Sequence, residues 1–119
     1  MPTVLALGLD PAVVELPGAG PSPELVRAFI ASELERLRAS GYEVFSCLVD
    51  LGETAETALA QALSSRHFDC VMFGAGLRAP ERLLLFERLL NIVHTGAPGA
   101  KLCFNTSPKD SAESVRRWV

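Results

Sequence analysis

Seven residues of types that hold or transform small molecules stand at the ends of apolar runs in this chain: Asp10, Asp50, Gly74, Gly76, Arg78, Asn105 and Lys109. Asp10 and Asp50 each close such a run. Carboxylates that end adjacent strands could reach one another and act as an acid/base or metal pair. The same two residues are equally suited to turns, since Asp10-Pro11 is a common turn opening and Asp50-Leu51-Gly52 leads into a helix. Gly74-Ala75-Gly76-Leu77-Arg78 is a glycine corner that lets backbone approach a ligand. Arg78 lies just before a helix start, where unpaired N–H groups and the helix dipole favour an anion, and Lys109 stands in the equivalent place on the fourth helix. These residues outline a phosphate or carboxylate pocket. The alternative is a tight turn flanked by solvated cations.

Four apolar runs position these residues: Val4 to Asp10, Val44 to Asp50, Cys70 to Gly76 and Leu102 to Asn105, each followed by a segment of helical character. Strand and helix in alternation make an α/β domain with a parallel sheet, and ligands in such folds bind outside the carboxyl ends of the strands. Thr3 to Leu9 is apolar almost throughout, as a central strand buried on both faces must be. Tyr42 to Asp50 is interrupted by Glu43 and Ser46 and belongs at an edge beside the first strand. The helices are announced by Ser22-Pro23-Glu24, Ala79-Pro80-Glu81 and Ser107-Pro108-Lys109, with proline where the first helical N–H has no partner. Ser107 with Asp110 resembles a capping box, and Gly41 is the expected stop of the first helix. That helix places Leu25, Phe29, Ile30, Leu34 and Leu37 on one stripe. The second helix runs roughly Thr54 to Arg66, and the last runs Asp110 to Val119. Right-handed crossovers then give the strand order 2-1-3-4, with the switch point between the first and third strands walled by the Pro11 to Pro21 connection and the glycine corner.

Composition limits the partners. The chain has 119 residues, 49% of them apolar, which suits one α/β domain spanning 1–119. A net charge of −3 argues against non-specific capture of nucleic acid or anionic membrane. No stretch approaches the roughly 20 apolar residues of a membrane span, and no signal peptide is apparent, so a cytoplasmic location is expected. Cys47, Cys70 and Cys103 each fall inside a strand and read as core thiols. No metal site or cofactor is indicated: Gly8 is followed by Leu9-Asp10-Pro11 rather than a GxGxxG turn, and GxSxG, Walker A and HExxH patterns are absent. His67 and His94 end helices, where a cation is favourable.

The third helix carries Leu83, Leu85, Phe86, Leu89, Leu90, Ile92 and Val93 over an arc of about 180°, wider than the roughly 100° that packing on a sheet requires. Either the domain's own loops cover the remainder, or a second copy does. A homodimer through Leu85, Leu89, Ile92 and Val93 is the expectation, strengthened by a fourth strand, Leu102 to Phe104, that lacks protective charges.

In strand order and in the polar residues at its strand ends, the chain resembles the flavodoxin-like superfold, which includes response-regulator receiver domains. Cys47 to Thr54 and Phe104 to Asp110 look like segments of small α/β proteins without assigned function. The resemblance implies a three-layer architecture. It implies no phosphorelay, because Asp10 precedes Pro11 and the third strand ends in Gly74. It implies no FMN site either, because a Ser/Thr-rich loop after the first strand is missing. The expected function is binding of a small anionic or phosphate-bearing ligand. The alternatives are self-association without a ligand and a small hydrolase or transferase using Asp10 or Asp50.

Overall fold

The computed structural model describes residues 1–13, 22–52 and 54–119. Strands β1 (Thr3–Leu9), β2 (Glu43–Val49), β3 (Cys70–Phe73) and β4 (Lys101–Phe104) form one parallel sheet in the order β2-β1-β3-β4. Among the described residues, helices α1 (Pro23–Ala39), α2 (Thr54–Ser65), α3 (Leu83–Gly96) and α4 (Ser111–Arg116) connect or follow the strands. The arrangement is the α/β fold expected, consistent with a flavodoxin-like architecture. None of the described helices is long and apolar enough to cross a membrane. Of the Pro11 to Pro21 connection, Pro11–Val13 makes a 3₁₀ turn, whereas Val14 through Pro21 lie outside the described residues.

Local chemistry sets the helix ends. Ser22 Oγ accepts the Leu25 N–H at 3.2 Å, with Pro23 opening α1 behind it. The helix stops at Gly41, whose φ of 99° is the left-handed geometry that glycine adopts without strain. Ser107 and Asp110 do form a capping box, around a 3₁₀ turn at Pro108–Asp110 that precedes α4. Pro80 opens a 3₁₀ turn as well, so α3 begins at Leu83 rather than at the proline.

Strand alternation divides the core in two. Leu5, Leu7, Val71 and Phe73 face α2 and α3, where they pack with Leu59, Leu63, Leu89 and Val93. Val4, Ala6, Cys70, Met72 and Cys103 face α1 and α4, meeting Leu34, Leu37, Ala112 and Val115. Cys70 and Cys103 are buried with their sulfurs 3.4 Å apart. Hydrogen bonding to Cys103, together with burial, pushes the Cys70 thiol up, so it sits in the core as a protonated thiol.

Two expectations about helix faces change. On α1, Leu34 and Leu37 are buried with Glu33, whereas Leu25 and Phe29 are exposed, so the inward stripe is displaced from the one the sequence suggested. On α3, Leu85, Leu89 and Val93 are buried in the chain's own core and Ile92 is half-buried against it. Of the four side chains named for an interface with a second copy, three lie in the chain's own core and Ile92 stays partly exposed. The arc is wide because α3 meets α2 as well as the sheet, where Phe86 stands edge-on to Phe73 of β3 at 5.7 Å and to Phe104 of β4 at 6.2 Å. What stays exposed is Leu83 at 57% and Leu84 at 68%. Nor is the β4 edge bare, because Lys101 begins it and Arg117 donates to the Phe104 carbonyl at 2.9 Å.

Candidate functional site

All seven residues singled out from the sequence lie at or just beyond the carboxyl ends of the strands, but they divide into two groups. Asp10 accepts the Ala12 N–H at 3.0 Å and pairs with Arg27 at 2.5 Å; those two contacts, the backbone one first, hold its carboxyl below the usual aspartate range. Asp50 accepts the Thr54 hydroxyl and the Gly52 N–H, and its pKa is lowered by them in that order. The two carboxylates therefore go to separate local partners. Among the described residues, no group of three or more His, Cys, Asp or Glu is disposed to hold a metal ion.

Arg78 is engaged by backbone. Its guanidinium donates to the Phe73 carbonyl at 2.7 Å and to the Asn105 carbonyl, and it lies 5.5 Å from the centre of the Phe104 ring. Partial burial lowers its pKa, opposed by the charge of Asp110. Arg78 thus ties the end of β3 to the end of β4. Lys109 is exposed, and its backbone N–H belongs to the Ser107 cap.

Gly74, Gly76 and Asn105 instead line a cavity of about 240 Å³. Its floor is the carboxyl half of the sheet face toward α1, where Ser46, Ala6 and Gly8 are small and Met72 and Leu48 flank them. Val26 and Ile30 of α1 form one wall, and Asn105, Pro108 and Ser111 form another. At Gly74 β3 is still bonded to β1, its N–H donating to the Leu7 carbonyl at 2.8 Å, and a Cβ there would stand 3.4 Å from the Gly8 Cα and the Leu7 carbonyl oxygen, a close contact. The cation lining the cavity is Arg82, whose partners among the described residues are distant, the Gly76 carbonyl at 3.4 Å and Glu81 at 3.5 Å.

Asn105 is one of two buried polar residues that line the cavity, the other being Ser111. It is 4% exposed, its Nδ2 donates to Ser111 Oγ at 3.0 Å, and its Oδ1 is buried with no donor among the described residues. Ser111 decides which way this amide faces. The single hydroxyl proton of Ser111 goes to the Pro108 carbonyl at 2.9 Å, so its oxygen can only accept from Asn105. In this arrangement the amide gives its NH₂ to Ser111, which passes its own proton to Pro108. A buried acceptor left without a donor costs about 1–3 kcal/mol.

Sequence reasoning missed Arg82, Ser111 and the α1 wall. A usable signal was present in Ala6, Gly8 and Ser46, small residues at alternate positions of adjoining strands that leave one sheet face thin. No family model matches the chain, and no curated protein matches it in sequence.

Proposed function

We propose that this protein is a binding module for a small ligand held at the carboxyl ends of β1 and β3, with an anionic or phosphate-bearing group of the ligand meeting Arg82. The observation that carries the reading is the cavity at the strand carboxyl ends, which combines apolar walls with Arg82 and the polar residues Ser46, Asn105 and Ser111. Convergence of a few polar groups in an otherwise apolar concavity is what small-molecule sites have in common. Among the described residues, Arg82 replaces Arg78 as the cation for this role, because Arg78 is already bonded to two carbonyls.

A thermal-shift screen against carboxylates, sugar phosphates and nucleotides tests the reading, since a ligand at 100 times its Kd adds about 2.7 kcal/mol to stability. For an anionic ligand so identified, Arg82→Ala should weaken binding by about 1.5–3 kcal/mol, the worth of a charge-assisted hydrogen bond. Unchanged affinity would remove Arg82 from the site. Self-association is the second reading, favoured by the exposure of Leu83 and Leu84 side by side at the start of α3. Sedimentation decides it: a mass of 12.8 kDa that does not change up to roughly 100 μM, far above a stable dimer's dissociation constant, would reject it.

A further inference from the structure

Resting on the reading of the cavity as a ligand site, we infer that its ligand is a small apolar monocarboxylate, the frame filling the cavity and the carboxylate meeting Arg82 at the rim, rather than a sugar phosphate or nucleotide. The polar side chains of the lining decide this by what they have left to give. Ser111 spends its proton on the Pro108 carbonyl, and its oxygen accepts from the Asn105 amide. Asn105 is buried, its Oδ1 included. Among the polar side chains of the described lining, that leaves the exposed hydroxyl of Ser46 and the guanidinium of Arg82. A ribose or hexose brings several hydroxyl groups, and one serine cannot replace the water they would lose. An apolar frame makes no such demand of Val26, Ile30, Leu48 and Met72.

One guanidinium suits one carboxylate. Its fork can donate two parallel N–H bonds to the two carboxylate oxygens, whereas a phosphate monoester close to its dianionic form would keep much of its charge uncompensated, since the other described lining residues bring no cation. Arg82 is placed for that exchange. Its side chain is 18% accessible, and Nη1 stands 3.4 Å from the Gly76 carbonyl oxygen and 3.5 Å from Glu81, both at the outer limit of a hydrogen bond. Glu81 is exposed, so a ligand carboxylate displaces only a surface ion pair, which is worth little. The frame is small. A cavity of about 240 Å³ falls below the roughly 300–1,000 Å³ of drug-sized ligand pockets and above the roughly 150 Å³ that admits benzene, so a fused bicyclic ring is near the upper limit.

Four probes test this on the whole chain, titrated by calorimetry and by amide chemical shifts: indole-3-carboxylate, its neutral isostere indole-3-carboxamide, indole as the frame alone, and ribose 5-phosphate. The expected result is binding of the acid at least roughly tenfold tighter than of the carboxamide or indole, the usual consequence of a hydrogen bond to a charged group, with ribose 5-phosphate unbound at about 5 mM. Arg82→Ala should bring the acid down to the level of the carboxamide while leaving indole bound. Glu81→Gln frees the guanidinium, so it should tighten the acid by about two- to fivefold without moving indole, a response that a merely structural Arg82 would not give. Ribose 5-phosphate bound more tightly than the acid would overturn the monocarboxylate inference and leave the ligand-site reading standing. Equal affinities for acid and carboxamide in the unmodified protein would also overturn it, leaving a cavity that takes the frame without its charge. No binding of any probe up to about 5 mM, a level that detects even millimolar affinities, would overturn both.

Discussion

The two faces of the sheet are built from the same four strands and are packed to opposite ends. Toward α2 and α3 the cross-strand row Cys47–Leu7–Phe73–Phe104 is followed by Phe45–Leu5–Val71–Leu102, and Phe73 is wholly buried between aromatic neighbours. Toward α1 and α4 the corresponding row is Ser46–Ala6–Met72–Cys103, and the next positions outward include Gly8 and Gly74. Along β1 the side chains on this face shrink toward the carboxyl end, from Val4 through Ala6 to Gly8, and the helix above does not close the gap. One face therefore supplies cohesion and the other supplies room. Neither property needs a special motif, only the size of every second residue.

Substitutions at Phe73 and Met72, neighbours in sequence on opposite faces, should break that symmetry most visibly. Phe73→Ala should destabilise the protein by about 3–5 kcal/mol in urea unfolding, the range for a buried aromatic, because its ring is enclosed on every side. Met72→Ala should fall at or below about 2 kcal/mol, near the lower end for such truncations, since Met72 already borders empty space. Equal losses would mean that the open face contributes as much cohesion as the packed one.

Arg78→Ala comes next. It removes guanidinium hydrogen bonds to the Phe73 and Asn105 carbonyls, which implies about 1.5–3 kcal/mol of lost stability, each being a bond to a charged group. A variant as stable as the parent would show that β3 and β4 do not need this clamp. Gly8→Val sharpens the comparison in the other direction. Valine favours a strand, and a Cβ at Gly8 meets only Leu48 Cδ2 at an ordinary 3.5 Å, so the change should alter stability by less than about 1 kcal/mol while eliminating probe binding. Added bulk on the opposite face, as in Val71→Phe, should instead destabilise by about 1–3 kcal/mol through overpacking.

The smallest effect concerns pH. Asp10, Asp50, Asp69 and Asp110 all have carboxyl groups below the usual aspartate range. At Asp69 the Thr3 N–H is the main cause. At Asp110 burial opposes the charge, but the Thr106 hydroxyl and the N–H groups of Ser107 and Thr106 outweigh it. A depressed carboxyl stabilises the fold above its unfolded pKa and loses that contribution as pH falls through the folded one. Stability should therefore decline below the ordinary aspartate pKa, modestly and less so in high salt, because these groups are largely exposed. Stability that rises with acidification in that window would contradict the assignment.

The architecture was legible in the sequence because each of its signals is local or periodic. Continuous apolar runs mark central strands, Ser-Pro pairs mark helix starts, Gly41 marks a helix end, and the interruption at Glu43 and Ser46 marks an edge strand. The candidate site was legible only in part. Gly74, Gly76 and Asn105 line the cavity because strand ends are fixed by topology. Whether Arg78 faces a ligand or a carbonyl depends on the distance between β3 and β4, which residue type does not encode. The α3 arc was ambiguous for a related reason: width on a helical wheel counts apolar residues but not the neighbours available to cover them. Here Phe86 found Phe73 and Phe104, residues distant in the chain.

The most direct test of the central claim, that the thin face is a ligand site and the thick face is not, is an amide chemical-shift titration of the uniformly labelled protein with indole. Saturable shifts are expected at Gly8, Gly74, Gly76, Asn105 and the Asn105 side-chain NH₂, with Val71, Leu89 and Val93 unmoved. Shifts centred on α2 and α3, or none at any amide up to about 5 mM, would contradict it.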